Sequence, residues 1–132
     1  MNPIARALLN RLLGRSGERE AAKFLRRKGM RILARNYRGP AGEIDLIARD
    51  GDTLVFVEVK TRREGVPAEA VTLEKQRNLT LTAMHFLRRY RALEVRSRFD
   101  IVAIVWPEST RSPAIEHIPN AFDAVGRGQM FR

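Results

Sequence analysis

Apolar positions change period along the chain, and each change marks an element. Ala21, Ala22 and Leu25 recur at helical spacing, Ser16 stands where an N-cap belongs and Gly29 follows. The spacing therefore predicts a helix from Ser16 to about Lys28, with Glu18 on the same face as the alanines. Arg31 to Tyr37 reads as a first strand before Gly39, Pro40 and Gly42 break the chain. Glu43–Arg49 and Thr53–Lys60 are β-rich runs joined by Asp50-Gly51-Asp52, and an Asp-Gly pair between two such runs signals a hairpin. Thr53 to Val57 is apolar on both faces, as a central strand covered on both sides must be. After Gly65 and Pro67 the period is helical again from about Thr72 to Arg91, with Leu79, Ala83, Phe86 and Leu87 inward. Arg88, Arg89 and Arg91 near its end complement the helix dipole. Phe99–Trp106 is a further apolar strand stopped by Pro107, Ala114–Ile118 is a candidate edge strand, and a short helix or coil is expected after Pro119. The order α-β-β-β-α-β gives an α/β fold, one mixed sheet with helices packed on it. Residues 1–15 form an N-terminal extension or short helix, 16–118 the domain, and 119–132 a tail.

Composition narrows the class. A chain of 132 residues, 44% of them hydrophobic, suits one domain with an ordinary core. A formal net charge of +10 favours polyanionic partners, nucleic acid first and an anionic membrane surface second. The absence of cysteine excludes disulfides, thiolate zinc sites and cysteine nucleophiles. The apolar stretch from Ile4 to Leu13 is interrupted by Arg6 and Arg11, so it reads as a short amphipathic helix or a frayed leader rather than a secretion signal. No run is long enough to cross a bilayer, and the expected address is the cytoplasm. The charge is uneven: residues 1–40 hold 11 basic and 2 acidic side chains, whereas residues 41–70 hold 4 basic and 7 acidic. Carboxylates repel phosphate unless a cation sits between them, so an acidic segment amid basic ones hints at metal-dependent phosphodiester chemistry.

The chemistry concentrates in the hairpin. Leu54, Phe56, Glu58 and Lys60 share one strand face, which puts two charges after two large apolar residues on a covered surface. Asp45 sits between Ile44 and Leu46 in the partner strand. A two-residue loop Asp50-Gly51 sets Asp45 opposite Phe56 and on the face of Glu58 and Lys60, while a three-residue loop turns it to the other face. Each charge alone has an ordinary explanation, a surface ion pair or a partner among the many arginines. Two acids and a lysine converging on a central hairpin fit that explanation poorly, because unpaired charges are seldom buried. His85 and His117 each stand alone, as packed or surface histidines do.

Gly42-Glu43-Ile44-Asp45 followed by Glu58-Val59-Lys60 resembles the PD-(D/E)XK nuclease motif, with Ile44 in place of its proline. Glu18 resembles the extra N-terminal acid of the archaeal Holliday-junction resolvase branch. The longer pattern of Gly17-Glu18, Asn36-Tyr37-Arg38, Gly42 to Ile47, Val55 to Lys60 and Phe99-Asp100 is similar to the YraN-like family of small bacterial proteins, from about Ser16 to Trp106. The resemblance implies a restriction-endonuclease-like fold and a metal-dependent endonuclease acting on nucleic acid, DNA ahead of RNA, with branched or damaged DNA as candidate substrates. The alternative is a nucleic-acid-binding module that keeps the fold without catalysis. Asp45 and Glu58 would hold Mg²⁺, or Mn²⁺ in its place, with the Val59 carbonyl and Glu18 as further ligands. Lys60 would stabilise the phosphate or help deprotonate water. Arg35, Arg38, Arg62, Arg63, Lys75 and Gln76 are the candidate nucleic-acid contacts. Gln76 is followed by Thr80 where the RecB-type branch has tyrosine, so the chain departs from that branch. A homodimer is compatible with this reading.

Overall fold

The computed structural model describes residues 2–109 and 112–126. Through them run α1 (Pro3–Arg27), β1 (Arg31–Gly39), β2 (Gly42–Asp50), β3 (Thr53–Arg63), α2 (Leu73–Arg89), β4 (Ser97–Trp106) and β5 (Ala114–Phe122). Among the described residues the strands form one five-stranded sheet in the order β1-β2-β3-β4-β5. Only the β3–β4 pair is parallel, and α2 makes the crossover that a parallel pair requires. This is the mixed α/β architecture read from the sequence, and it is consistent with a restriction-endonuclease-like fold.

Two boundaries differ from expectation. The helix does not begin at Ser16: α1 runs unbroken from Pro3, because the Asn2 side chain accepts a hydrogen bond from the Ala5 N–H at 2.7 Å and Pro3 opens the first turn. Gly14 and Gly17 weaken the helix interior without ending it. The tail expected as helix or coil instead continues β5 to Phe122. Pro119 is tolerated because β5 is an edge strand, and the register slips between Phe99 and Ile101, opposite the point where Asn120 takes φ +49°. Residues 127–132 of that tail lie outside the described residues.

The hairpin loop is also displaced. Asp50 pairs with Thr53, so the two-residue loop is Gly51-Asp52 and not Asp50-Gly51. Gly51 takes φ +62° and Asp52 does not take a positive φ, the pattern of a II′ turn with glycine at its first central position. The loop stays even in length, so the parity of the β2–β3 pairing is unchanged while each partner shifts by two residues.

The sheet is covered on both sides. On one face Leu79, Ala83, Phe86 and Leu87 of α2 pack on Ile47, Phe56 and Phe99. On the other, Ala21, Ala22 and Leu25 of α1 pack on Leu46, Val55, Val57, Val102 and Ile104. Small residues let α1 lie close. Gly17 is the extreme case, since a Cβ there would overlap Thr61 Oγ1 of β3 and lie 3.3 Å from its Cβ and Cγ2. No helix among the described residues is long and apolar enough to cross a membrane.

Gly17→Ala is therefore expected to destabilise the protein by roughly 1–3 kcal/mol, the usual cost of overpacking. Thr61→Ala in the same chain should recover most of that loss, because it removes the atoms in conflict. Chemical denaturation of the single and double variants checks this; equal stability of wild type and Gly17→Ala would refute the close approach.

Candidate functional site

The site lies where β2 and β3 part. Their ladder runs from Asp50↔Thr53 to Leu46↔Val57, whereas β3 stays paired with β4 as far as Arg63↔Trp106. At the parting, the Asp45 carboxylate accepts the Val59 N–H at 2.8 Å. The strand register brings Asp45 level with Glu58, and the two carboxyl groups are close enough to share a proton. Glu58 is buried at the end of the apolar row begun by Leu54 and Phe56. Its Oε2 is buried without a hydrogen-bond partner. Lys75 Nζ, from the first turn of α2, is nearest at 3.6 Å, beyond hydrogen-bonding reach. The Thr72 hydroxyl caps that turn by accepting the Lys75 N–H at 3.1 Å. Lys60 lies two residues along the same face, half-buried, with its Nζ 4.0 Å from Glu69.

Burial pushes the Glu58 carboxyl up to about 8, helped by the neighbouring Asp45 charge and the hydrogen bond between the pair, and the charges of Lys75 and Lys60 only partly oppose this. Glu18 is raised as well, by burial first and then by Asp45 and Glu43. Asn36 links these acids. With its amide nitrogen turned toward them it donates to Glu43 Oε1 at 2.8 Å and to the Glu18 carboxylate at 3.1 and 3.2 Å. Asn36 takes φ +50°, a conformation that asparagine tolerates better than most residues.

A cation is the natural counterpart of such a pair. Among the described residues no three acid or histidine side chains form a metal cage by themselves. Mg²⁺ does not need one, since it binds through one or two carboxylates and fills its shell with water and phosphate oxygens. Asp45 and Glu58, with one buried oxygen lacking a donor, fit that requirement.

The buried acid at the start of β4 shows the contrast. Asp100 is fully buried, yet it accepts from Arg98 Nε at 3.0 Å and from the Asn120 N–H at 2.9 Å, and pairs with His117 Nε2 at 2.8 Å. Arg98 also reaches Asp50 at 2.9 Å, and Lys28 Nζ meets His117 Nδ1 at 2.8 Å. Asp100 is satisfied on every side and ties α1, β4, β5 and the β2–β3 hairpin together. His117 is a packed histidine, as expected, but it is not alone. His85 is likewise engaged, by the Tyr37 hydroxyl at 2.7 Å.

The structure thus gathers Glu18, Asp45, Glu58, Lys60 and Lys75 in one region. Arg35 is exposed on β1 and near enough to act on Glu18. Arg38 is engaged by Glu43 at 3.3 Å. Arg62 holds the Val66 carbonyl at 2.7 Å, Arg63 is exposed beside it, and Gln76 is turned inward to the Val71 carbonyl at 2.9 Å. Asn36 and Glu43 carry parts of the acid network that residue type and spacing did not single out. Asn36 in a strand, a poor β-former before a turn signal of glycines and proline, was the available clue.

Comparison with known sequences agrees with this pattern. The model of the uncharacterised protein family UPF0102 matches residues 17–104. A UPF0102 protein of Geobacter sulfurreducens is 51% identical over 117 residues, 86% of this chain and 91% of the relative. One from Rhodococcus opacus is 51% identical over 116 residues, 86% and 98% of the two chains. The chain belongs to the UPF0102, or YraN-like, family. In this UPF0102 chain the match spans every acid discussed above, from Glu18 to Asp100.

A pH dependence follows from Glu58. Its carboxyl holds a proton more tightly when folded, so the associated stability is complete below about pH 4.5 and is lost as pH rises to about 8. In metal-free buffer the UPF0102 protein should lose on the order of 2–4 kcal/mol across that window, and Glu58→Gln should remove most of the slope. Urea denaturation at several pH values in EDTA reads this; parallel slopes for the two proteins would contradict it.

Proposed function

We propose that this chain is a metal-dependent endonuclease that hydrolyses phosphodiester bonds in DNA, with branched or damaged DNA as candidate substrates, working in the cytoplasm. The observation that carries the reading is the buried Glu58 oxygen without a donor, pressed against Asp45 and flanked by Lys60 and Lys75. A structural acid would be satisfied, as Asp100 is. An acid left poised between another carboxylate and two lysines suits a site that gains a cation and a phosphate together.

Asp45 and Glu58 would hold Mg²⁺ or Mn²⁺, with the Val59 carbonyl and Glu18 as candidates to complete the shell directly or through water. The ion would supply positive charge against the phosphate and activation of the attacking water. The protein's own contribution is positional. The Val59 N–H fixes Asp45, the α2 cap fixes Lys75, and Lys60 faces the phosphate side, where its ammonium offsets charge that builds up during attack. Arg35, Arg38, Arg62 and Arg63 would hold the backbone of the nucleic acid, a sequence-independent and salt-sensitive mode of binding. DNA stands ahead of RNA because the motif resembles that of DNA nucleases.

Asp45→Asn and Glu58→Gln should each abolish the Mg²⁺- or Mn²⁺-dependent cleavage that wild type shows within a panel of linear, flapped and four-way DNA, while DNA affinity without metal stays near wild type. Each change removes a ligand charge and keeps side-chain volume. Lys60→Met should stop cleavage by at least about a hundredfold and leave metal binding largely intact. Wild-type protein that binds these DNAs but cuts none would turn the assignment to a non-catalytic binding module.

A further inference from the structure

A cleft of about 680 Å³ opens beside the paired acids and joins them through Glu18 and Lys60. Its floor is the end of β3 from Val59 to Arg63, beyond the point where β2 has left, with Ala103 of β4 alongside. One wall is the first half of α1, and the opposite wall is the turn from Val66 to Glu69. We infer that this cleft seats an unpaired nucleic-acid strand next to the scissile phosphate, so that the substrate carries a single-stranded arm and is not an intact duplex. The inference rests on the reading of Asp45 and Glu58 as the cutting site.

Shape favours a single strand. Proteins that read duplex DNA insert a convex helix or ribbon into a groove. Here the concavity belongs to the protein, and its volume lies within the range of roughly 300–1,000 Å³ typical of pockets that enclose small molecules. A cleft of that size admits a base or two and not a double helix.

The lining has the two components that single strands require, a cationic track for phosphates and apolar surface for base faces. Arg6 of α1 and Lys60, Arg62 and Arg63 of β3 supply the charge. Leu13, Val66 and Pro67 supply flat apolar surface, and arginine planes also stack on bases. Glu69, 88% exposed and 4.0 Å from Lys60, occupies the position where a phosphate would meet that lysine.

The cleft is built before anything binds. Arg62 holds the Val66 carbonyl at 2.7 Å, the Val66 N–H donates to the Arg63 carbonyl at 3.0 Å, and the Glu64 N–H donates to the Trp106 carbonyl at 2.9 Å. These bonds fix one wall to the sheet. The opposite wall exists because α1 extends back to Pro3, which gives a use to turns that add little to the core.

Gly14 makes the test clean. It lines the cleft, and a Cβ there would meet nothing within 4 Å. Gly14→Leu fills the cleft while raising helix propensity by about 0.8–1 kcal/mol, so a loss of binding cannot be ascribed to unfolding. Fluorescence anisotropy in EDTA would compare an oligothymidine, an abasic chain of equal length, a blunt duplex and vesicles rich in anionic lipid. The expected result is about a tenfold weaker oligothymidine complex for Gly14→Leu, with duplex affinity changed by less than about twofold and the melting temperature not lowered. The abasic chain should bind wild type more weakly than oligothymidine. Equal weakening on single strand and duplex, no weakening at all, or equal binding of the abasic chain would overturn the inference. Gly14-dependent binding confined to the vesicles would overturn it in favour of a membrane surface. Because EDTA prevents cutting, the two readings fail separately. A protein that never cuts yet shows this preference keeps the cleft and loses the nuclease, and one that cuts blunt duplex without the preference does the reverse.

Discussion

Val59 donates its N–H to the Asp45 carboxylate at 2.8 Å and not to a carbonyl of β2, so the two strands separate without orphaning a buried main-chain donor. That bond decides where the ladder ends and, with it, where the Asp45 side chain lies. Glu58 comes level with Asp45 where that pairing ends, and burial beside another carboxyl then holds its proton more tightly than an ordinary glutamate does. From the end of the ladder onward β3 continues with only β4 beside it, which is what makes room for a cleft. The strand that forms the centre of the core is also the strand that carries Glu58 and Lys60, and the change from buried apolar row to charged side chains takes place between Val57 and Val59.

Among the described residues two buried acids receive opposite treatment. Asp100 is surrounded by partners from β4 and β5, so its burial is compensated and it acts as a clamp. Glu58 receives charge from Lys75 and Lys60 at a distance but no hydrogen bond at Oε2. Protein interiors rarely leave such an oxygen without a partner, and the cost of doing so is of order 1–3 kcal/mol. The two acids stand in the same sheet, one with both oxygens partnered and the other with Oε2 left open.

Much of this was legible in the sequence because parity survives small errors. Placing the loop at Asp50-Gly51 and placing it at Gly51-Asp52 both leave an even number of residues, so the parity of the pairing is the same in either case, and Asp45 meets Glu58 where that pairing ends. The exact partner was not legible, since both pairs are good turn formers that share Gly51, and only its φ in the folded chain separates them. The length of α1 was hidden by glycines that usually punctuate helices; here Gly17 is selected by contact with Thr61, a partner 44 residues away that periodicity cannot see. The Asp100 clamp and the Asn36 bridge were hidden for the same reason. Each joins residues from separate elements, and a period in one strand carries no information about its neighbour's donors.

Long-range contact also explains why α1 matters twice. A continuous helix rises about 1.5 Å per residue, so Arg6 and Glu18 stand about 18 Å apart on one rod. That rod presents the outer wall of the cleft at one point and an acid beside Asp45 at another. Its distance from β3 is set at Gly17, directly before Glu18, by contact with Thr61 on the cleft floor. A shift of α1 at that contact moves the acid together with Leu13 and Gly14 of the cleft wall, because all of them lie within about one and a half turns of the helix. A single glycine therefore couples the geometry of the carboxylates to the width of the channel beside them.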